Sequence, residues 1–491
     1  MMNFRTLTAC IAPLWMLCFF LSACSVSKKI SKAAKEDVLG SKALQSAHVG
    51  ITIFDPSSNK HLFNYQGDKY FVPASNTKLA TCYAALKYLG DSLPGIRYGY
   101  AISEDSSVKL LAIQPMGDPT LLHPDYPRQP VLDFIFRQAR SLHNELVILD
   151  TNWKDSHLGN GWSWNDYDAD YMAERSNLPV YGNVVDIKLN PPAYRDPSKK
   201  GSGYGNELLL FKTASPYFDS MVNAHSFYLS KETQEAPRPL VSIKRDLSLN
   251  EFRIVNSRQP FSTVSIPFVT EGSKTALQVL AHDYHLSIHQ LRLQYDNGAN
   301  AYLCDGCPGL NFKVKEWKIL YSHLTDSLLK PMMHRSDNFF AEQSLLMVSN
   351  LRLGYMNDQK IIDTILKTDL KDLPQKPNWA DGSGLSRYNL FTPQDIVAIL
   401  NKMKTEFGME RLKIIMATGG EGTIRSYYKA DSGYIYGKTG TLSGVVAFSG
   451  FLYTKKGKLL IFSTLVNNHL SSAADVRRAV EKFLERVRKE L

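Results

Sequence analysis

Both ends of the chain read as strand pairs, and that arrangement limits the fold more than any other feature of the sequence. "HVGITIFDPSSNKHLFNYQ" (48–66) places two strand-like runs around the turn "DPSSNK", the pattern of a hairpin. Near the other end, "GYIYGKTGTLSGVVAFSGFLYT" (433–454) and "GKLLIFSTLVNN" (457–468) read as adjacent strands joined at "KKGK". "SAADVRRAVEKFLERVRKEL" then closes the chain as an amphipathic helix, with Val476, Val480, Phe483, Leu484 and Val487 on one stripe. Strands at both ends with helices between them predict an α/β sandwich whose termini lie close together. At 491 residues the chain is too long for one ordinary core, so two or more domains are expected. Residues from about 96 to 320 differ in character, being rich in Pro, Tyr, Asn and short strand-like runs. They predict one or two inserted, mainly β modules.

The beginning of the chain has the marks of a leader. Arg5 supplies a basic start, "IAPLWMLCFFL" (11–21) a short apolar run, and "LSAC" (21–24) a small-residue cleavage site ending in cysteine. The run is too short to span a bilayer, so residues 1–23 are expected to be a signal peptide. The signal resembles a bacterial lipobox, which implies cleavage before Cys24 and a diacylglyceryl thioether on its sulfur. A plain signal peptide with an incidental cysteine is the alternative. "SVSKKISKAAKED" follows and predicts a polar, lipidated tether over 24–42, with lysines suited to an anionic headgroup surface. The net charge of +10 fits an anionic cell envelope better than nucleic acid, because the chain is exported. Cys10 and Cys18 leave with the leader. Cys82 is expected to be a buried helix residue. Cys304 and Cys307 in "CDGC" are spaced to close a small disulfide loop, with free thiols as the alternative. A metal site there wants a second ligand pair, and none is visible.

Three short motifs carry chemistry. "FVPASNTKLAT" (71–81) puts Ser75 three residues before Lys78 at the start of an apolar, helix-like run ending at Gly90. Ser-x-x-Lys alone decides little, since Ser25, Ser57 and Ser106 also begin one, and serine is a favoured helix cap. "RSDNFFAEQ" (335–343) places Ser336 and Asn338 at another helix start, and Ser57, Ser163 and Ser248 also begin Ser-x-Asn. "GKTGTLSG" (437–444) holds the only Lys-Thr-Gly of the chain, on a predicted strand. The order of all three, each in its local context, is the signature set of the penicillin-recognising serine acyl enzymes.

Within that group the sequence resembles the class C, low-molecular-mass penicillin-binding proteins, the D-alanyl-D-alanine carboxypeptidase/endopeptidases. The resemblance covers essentially the whole mature chain. Beyond the three motifs, "MGDPTL" (116–121), "GWSWND" (161–166), "DGSGLSR" (381–387) and "GGEGTI" (419–424) are family-like blocks. More than half the chain separates Ser75 from Ser336, far more than a minimal β-lactamase core needs. The resemblance implies a β-lactamase/transpeptidase-like sandwich, an antiparallel sheet flanked by helices, with large, mainly β insertions between the first two motifs. The penicillin-binding domain would comprise 43–95 and 321–491, and the inserted domains 96–320.

An activated hydroxyl is what acyl transfer from D-Ala-D-Ala requires. Ser75 would be the nucleophile and Lys78, one helical turn on, its base when neutral. Ser336 would relay a proton between Lys78 and the leaving amine, and Asn338 would orient Lys78 and the substrate backbone. Lys438 and Thr439 would hold the terminal carboxylate. The backbone N–H groups of Ser75 and Thr441 would form the oxyanion hole, and Gly440 would let substrate approach the strand. The resemblance also places Asp166, Arg387 and Ser443 around the diamino-acid side chain, with Asp168 and Asp170 as alternatives to Asp166. No cofactor or metal is implied. The expected partners are peptidoglycan stem peptides, β-lactams as inhibitors, and a bacterial membrane through the N-terminal lipid, in the periplasm or envelope. Two other readings compete: a β-lactamase on the same core, and a catalytically silent, lipid-anchored wall-binding protein.

Overall fold

The computed structural model describes residues 26–102, 109–139, 144–190, 210–223, 241–256, 263–286, 291–294, 314 and 316–491. The chain forms two compact units. One holds the residues up to Tyr83 with Leu329–Asp337 and Ile362–Leu491; the other holds Ala84–Leu328 with Asn338–Ile361. Cys24, Cys304 and Cys307, and with them the lipidation and disulfide expectations, lie outside the described residues.

The first unit is built on a six-stranded sheet. Its strands are β1 (His48–Asp55), β2 (Lys60–Tyr65), β3 (Ala417–Thr418), β4 (Ile435–Leu442), β5 (Val445–Tyr453) and β6 (Leu459–Asn467). They run in the order β3-β4-β5-β6-β1-β2, and every pair is antiparallel. β1 pairs with β6 from His48↔Asn467 to Phe54↔Ile461, so the two ends of the chain meet in the middle of the sheet. β5 and β6 are buried almost throughout, as strands covered on both faces must be. Val446, Phe448, Phe462 and Val466 meet the stripe Val476, Val480, Phe483, Leu484 and Val487 of the closing helix, Ala473–Glu490. The helix Pro393–Phe407 packs on β1, β5 and β6, where Phe71, Ala447 and Leu465 cluster.

Two expectations are corrected in this unit. The run 433–454 is not one strand but the hairpin β4–β5, turned at Ser443 and Gly444; Gly444 has φ +73°, a left-handed conformation that glycine adopts without steric cost. The segment expected as a polar tether is helical from residue 26, closes in a π-turn over Ala34–Leu39, and continues into a 3-10 turn over Lys42–Leu44. Ile30, Ala33, Ala34 and Val38 are buried against the closing helix. Arg486 pairs with Glu36 at 2.7 Å and Lys482 with Asp37 at 2.9 Å. Positions 26, 30, 33, 34 and 38 share one helical face, a periodicity that the intervening lysines hide from composition.

The second unit mixes helix and strand more than the expected mainly β insert. Its largest sheet has five strands, in the order Leu291–Gln294, Asn144–Leu149, Lys109–Pro115, Ser92–Ile102, Lys318–Leu324. Lys109–Pro115 and Asn144–Leu149 are parallel. A parallel pair needs a crossover, and the amphipathic helix Pro130–Ala139 supplies it. Among its described residues the unit also has two three-stranded sheets. The helix Asn338–Leu353 is buried at every position from Phe339 to Asn350. Its polar residues are therefore tied down, Gln343 Nε2 donating to the carbonyls of Gly117 and Ser176 at 2.8 Å each. Arg175, 1% exposed, reaches Asp358 at 2.5 Å, Asp155 at 3.1 Å and Glu342 at 3.3 Å. Those carboxylates hold the guanidinium charged against its burial. Burial raises the Asp155 carboxyl, and neighbouring Asp358 adds to the rise while Arg175 opposes it. Among the described residues no helix is long and apolar enough to cross a membrane.

Candidate active site

Ser75 lies in a 3-10 turn, Ala74–Thr77, that runs directly into the helix Lys78–Tyr88. The residue capping that turn is Pro73, without a side-chain cap, so Ser75 is not the helix cap its sequence also allowed. Ala74 has φ +48°, a left-handed conformation that costs an alanine about 1 kcal/mol. That turn leaves Ser75 half-buried while Lys78 is wholly buried. Lys78 Nζ donates to Ser75 Oγ at 3.0 Å and to the Ser383 carbonyl at 2.7 Å.

Ser383 belongs to "DGSGLSR", whose shape comes from Asp381. That buried carboxylate accepts from the amides of Gly384 and Ser386, at 2.7 Å each, and from Asn389 Nδ2 at 2.8 Å. Gly384, at φ +82°, would put a Cβ 1.9 Å from the Ala74 carbonyl oxygen, so only glycine lets the loop close on the nucleophile turn. Thr81 Oγ1 donates to the Gly382 carbonyl at 2.6 Å and holds the loop from the helix side. Residue type alone gives no sign of Ser383, because its carbonyl makes the contact.

Ser336 follows the helix Thr325–His334 and has φ +64°. Its Oγ accepts from Lys438 Nζ at 2.8 Å, and the same ammonium donates to the Thr439 carbonyl at 2.7 Å. Lys438 is wholly buried on β4; burial, and after it the charge of Lys78, push its pKa well below the ordinary lysine range. Asn76 Nδ2 donates to the Lys438 carbonyl at 2.9 Å and ties the nucleophile turn to β4. Gly440 has a reason beyond substrate access. A Cβ there would stand 2.6 Å from the Pro73 carbonyl oxygen and 3.1 Å from the Ser75 amide nitrogen. Thr439 Oγ1 donates to Thr423 Oγ1 at 2.7 Å, and Thr441 Oγ1 accepts from Arg477 Nη2 at 2.6 Å. Exposed Arg387 donates through Nη2 to the Ser443 carbonyl at 2.9 Å. Ser75, Lys78, Ser336, Lys438, Thr439, Thr441, Arg387 and Ser443 thus all belong to the first unit.

Asn338 and Asp166 belong to the second unit. Asn338 opens its buried helix and donates through Nδ2 to the Tyr171 carbonyl at 2.9 Å. Asp166 ends the 3-10 turn Trp164–Asp166, and its charge acts on Tyr171. Burial first, then Asp166, raises the pKa of that tyrosine. Asp168 is engaged by Lys244 at 2.8 Å.

The model of the D-Ala-D-Ala carboxypeptidase 3 (S13) family matches residues 31–206 and 320–487, more than half of the chain. The chain belongs to that family. As an S13 peptidase it is a serine-type D-Ala-D-Ala carboxypeptidase. The S13 match starts inside the N-terminal helix, which agrees with that helix being part of the fold. The D-alanyl-D-alanine carboxypeptidase of Actinomadura sp. (strain R39) is 25% identical over 468 residues, 89% of this chain and 80% of that one. The D-alanyl-D-alanine carboxypeptidase DacB of Haemophilus influenzae is 23% identical over 456 residues, 88% of each chain. In fold, the chain is similar to the crystal structure of penicillin binding protein 4 (dacB) from Haemophilus influenzae. The TM-score is 0.67 at 19% identity, covering 94% of this chain and 99% of that one.

Proposed function

We propose that the chain hydrolyses D-Ala-D-Ala termini and cross-links of peptidoglycan stem peptides through an acyl-enzyme on Ser75. The observation that carries this reading is the 3.0 Å contact between Ser75 Oγ and a wholly buried lysine amine. Burial favours the neutral amine a general base must be. Lys78 takes the Ser75 proton as Oγ bonds to the penultimate D-Ala carbonyl. The C–N bond then breaks, and the leaving amine takes a proton passed through Ser336. Water, activated by the same base, hydrolyses the ester and frees Ser75.

Amides of Ser75 and Thr441 bind the developing oxyanion, and Asn338 orients the peptide. Lys438 and Thr439 bind the carboxylate beside the scissile bond. Asp166, Arg387 and Ser443 read the diamino acid: Asp166 takes its distal ammonium and Arg387 its carboxylate. β-Lactams acylate the same serine. Cys24 carries a lipid that fixes the enzyme to a membrane of the bacterial envelope, facing the periplasm.

Digestion of purified muropeptides tests the reading. Wild type should release D-Ala from pentapeptides and split cross-linked dimers, and Ser75→Ala should do neither. Undigested muropeptides with the wild-type enzyme would contradict it.

A further inference from the structure

Thr423 stands outside the three motifs, yet it touches one of them, and the loop that carries it is built to make that contact. From Thr418 to Tyr428 the backbone folds on itself: Glu421 N donates to Thr418 O at 3.0 Å and Ile424 N to Glu421 O at 2.9 Å. Ile424 and Tyr428 are buried and anchor the loop in the core. Two glycines close it. A Cβ on Gly419 would lie 1.9 Å from the Tyr428 carbonyl oxygen, and one on Gly422, at φ +47°, 2.5 Å from the His334 carbonyl oxygen. The loop is therefore clamped to the end of the helix that leads into Ser336. From this position Thr423 Oγ1 lies 2.7 Å from Thr439 Oγ1.

Each hydroxyl has one proton and two lone pairs, so the direction of this bond matters. If Thr439 donates to Thr423, it turns only lone pairs toward an incoming carboxylate. If Thr423 donates to Thr439, the Thr439 proton is free to point at the carboxylate, and the two hydroxyls polarise each other. A bound carboxylate selects the second direction. We propose that Thr423 is a positioning residue for the substrate's terminal carboxylate, acting by donating its hydroxyl proton to Thr439. The proposal rests on Lys438 and Thr439 being the carboxylate site.

The test compares Thr423→Val, which keeps the shape and loses the donor, with Thr423→Ser, which keeps the donor. Two substrates are used. One is an acetylated D-Ala-D-Ala peptide with a free carboxylate. The other is acetyl-D-alanine p-nitrophenyl ester, which acylates serine without such a group, with the Ser75→Ala rate subtracted. Thr423→Val should lower kcat/KM about fivefold on the peptide, mainly through KM, and leave the ester unchanged. Thr423→Ser should restore the peptide rate to within about twofold of wild type. Equal losses on both substrates, an unchanged peptide rate, or a serine variant as poor as valine would each overturn the assignment. If valine does not fold, Thr423→Ala takes its place with the same expected pattern. A wild-type enzyme indifferent to replacement of the peptide's carboxylate by a carboxamide would overturn the Lys438–Thr439 site itself, and Thr423 with it.

Discussion

Lys78 and Lys438 are both wholly buried beside serine hydroxyls, and the charge of Lys78 adds to the cost that burial puts on charging Lys438. A carboxylate from the substrate is the natural counter-charge. Below its depressed pKa, Lys438 is an ammonium and holds the carboxylate. As pH rises through that value it becomes neutral, and the contact loses its charge. The acylation rate should therefore fall on the alkaline side before the ordinary lysine range is reached. The same depressed pKa makes the unfolded chain bind more protons at this residue, so its share of stability rises with pH up to that range. Lys438→Arg keeps its charge throughout, and it should move the alkaline limb of benzylpenicillin acylation upward. An alkaline limb at the same pH in both proteins would remove Lys438 as its cause.

At the scale of elements, the N-terminal helix gives the sharpest contrast between what composition suggests and what packing requires. Ile30 is 1% exposed beneath the closing helix. Ile30→Ala should cost about 2–5 kcal/mol, measured by chemical denaturation. A tether residue would cost almost nothing, and an unchanged unfolding midpoint would return this segment to that role. The closing helix was legible because its apolar stripe is continuous across Val476, Val480 and Phe483. The first helix was not, because Lys28, Lys29, Lys32 and Lys35 dominate its composition. The β4–β5 turn leaves little trace in the sequence, because Ser443 and Gly444 interrupt the strand-like run 433–454 only briefly. The ionic cluster of Arg175, Asp155, Glu342 and Asp358 leaves no local trace, since its members meet only after folding.

Over the whole molecule, Ser75 and Lys438 are far apart in sequence and share one unit, while the described residues between 84 and 328 belong to another. Pairing of β1 with β6 explains how: the first strand of the sheet completes itself only with the last. The three motifs were readable because each needs a fixed local frame, a helical turn for Ser75 and Lys78 and a strand for Lys438 and Thr439. Contacts made by backbone, such as the Ser383 carbonyl on Lys78, were not, because any residue type can make them. Family membership makes the chain a D-Ala-D-Ala carboxypeptidase, and the silent wall-binding alternative loses its ground. The identity of the nucleophile is then the central claim. Intact-mass analysis after incubation with benzylpenicillin tests it most directly, using wild type and Ser75→Ala with matched melting temperatures. The expected result is one penicilloyl adduct on wild type and none on the variant; an adduct of the same mass on Ser75→Ala would contradict the assignment.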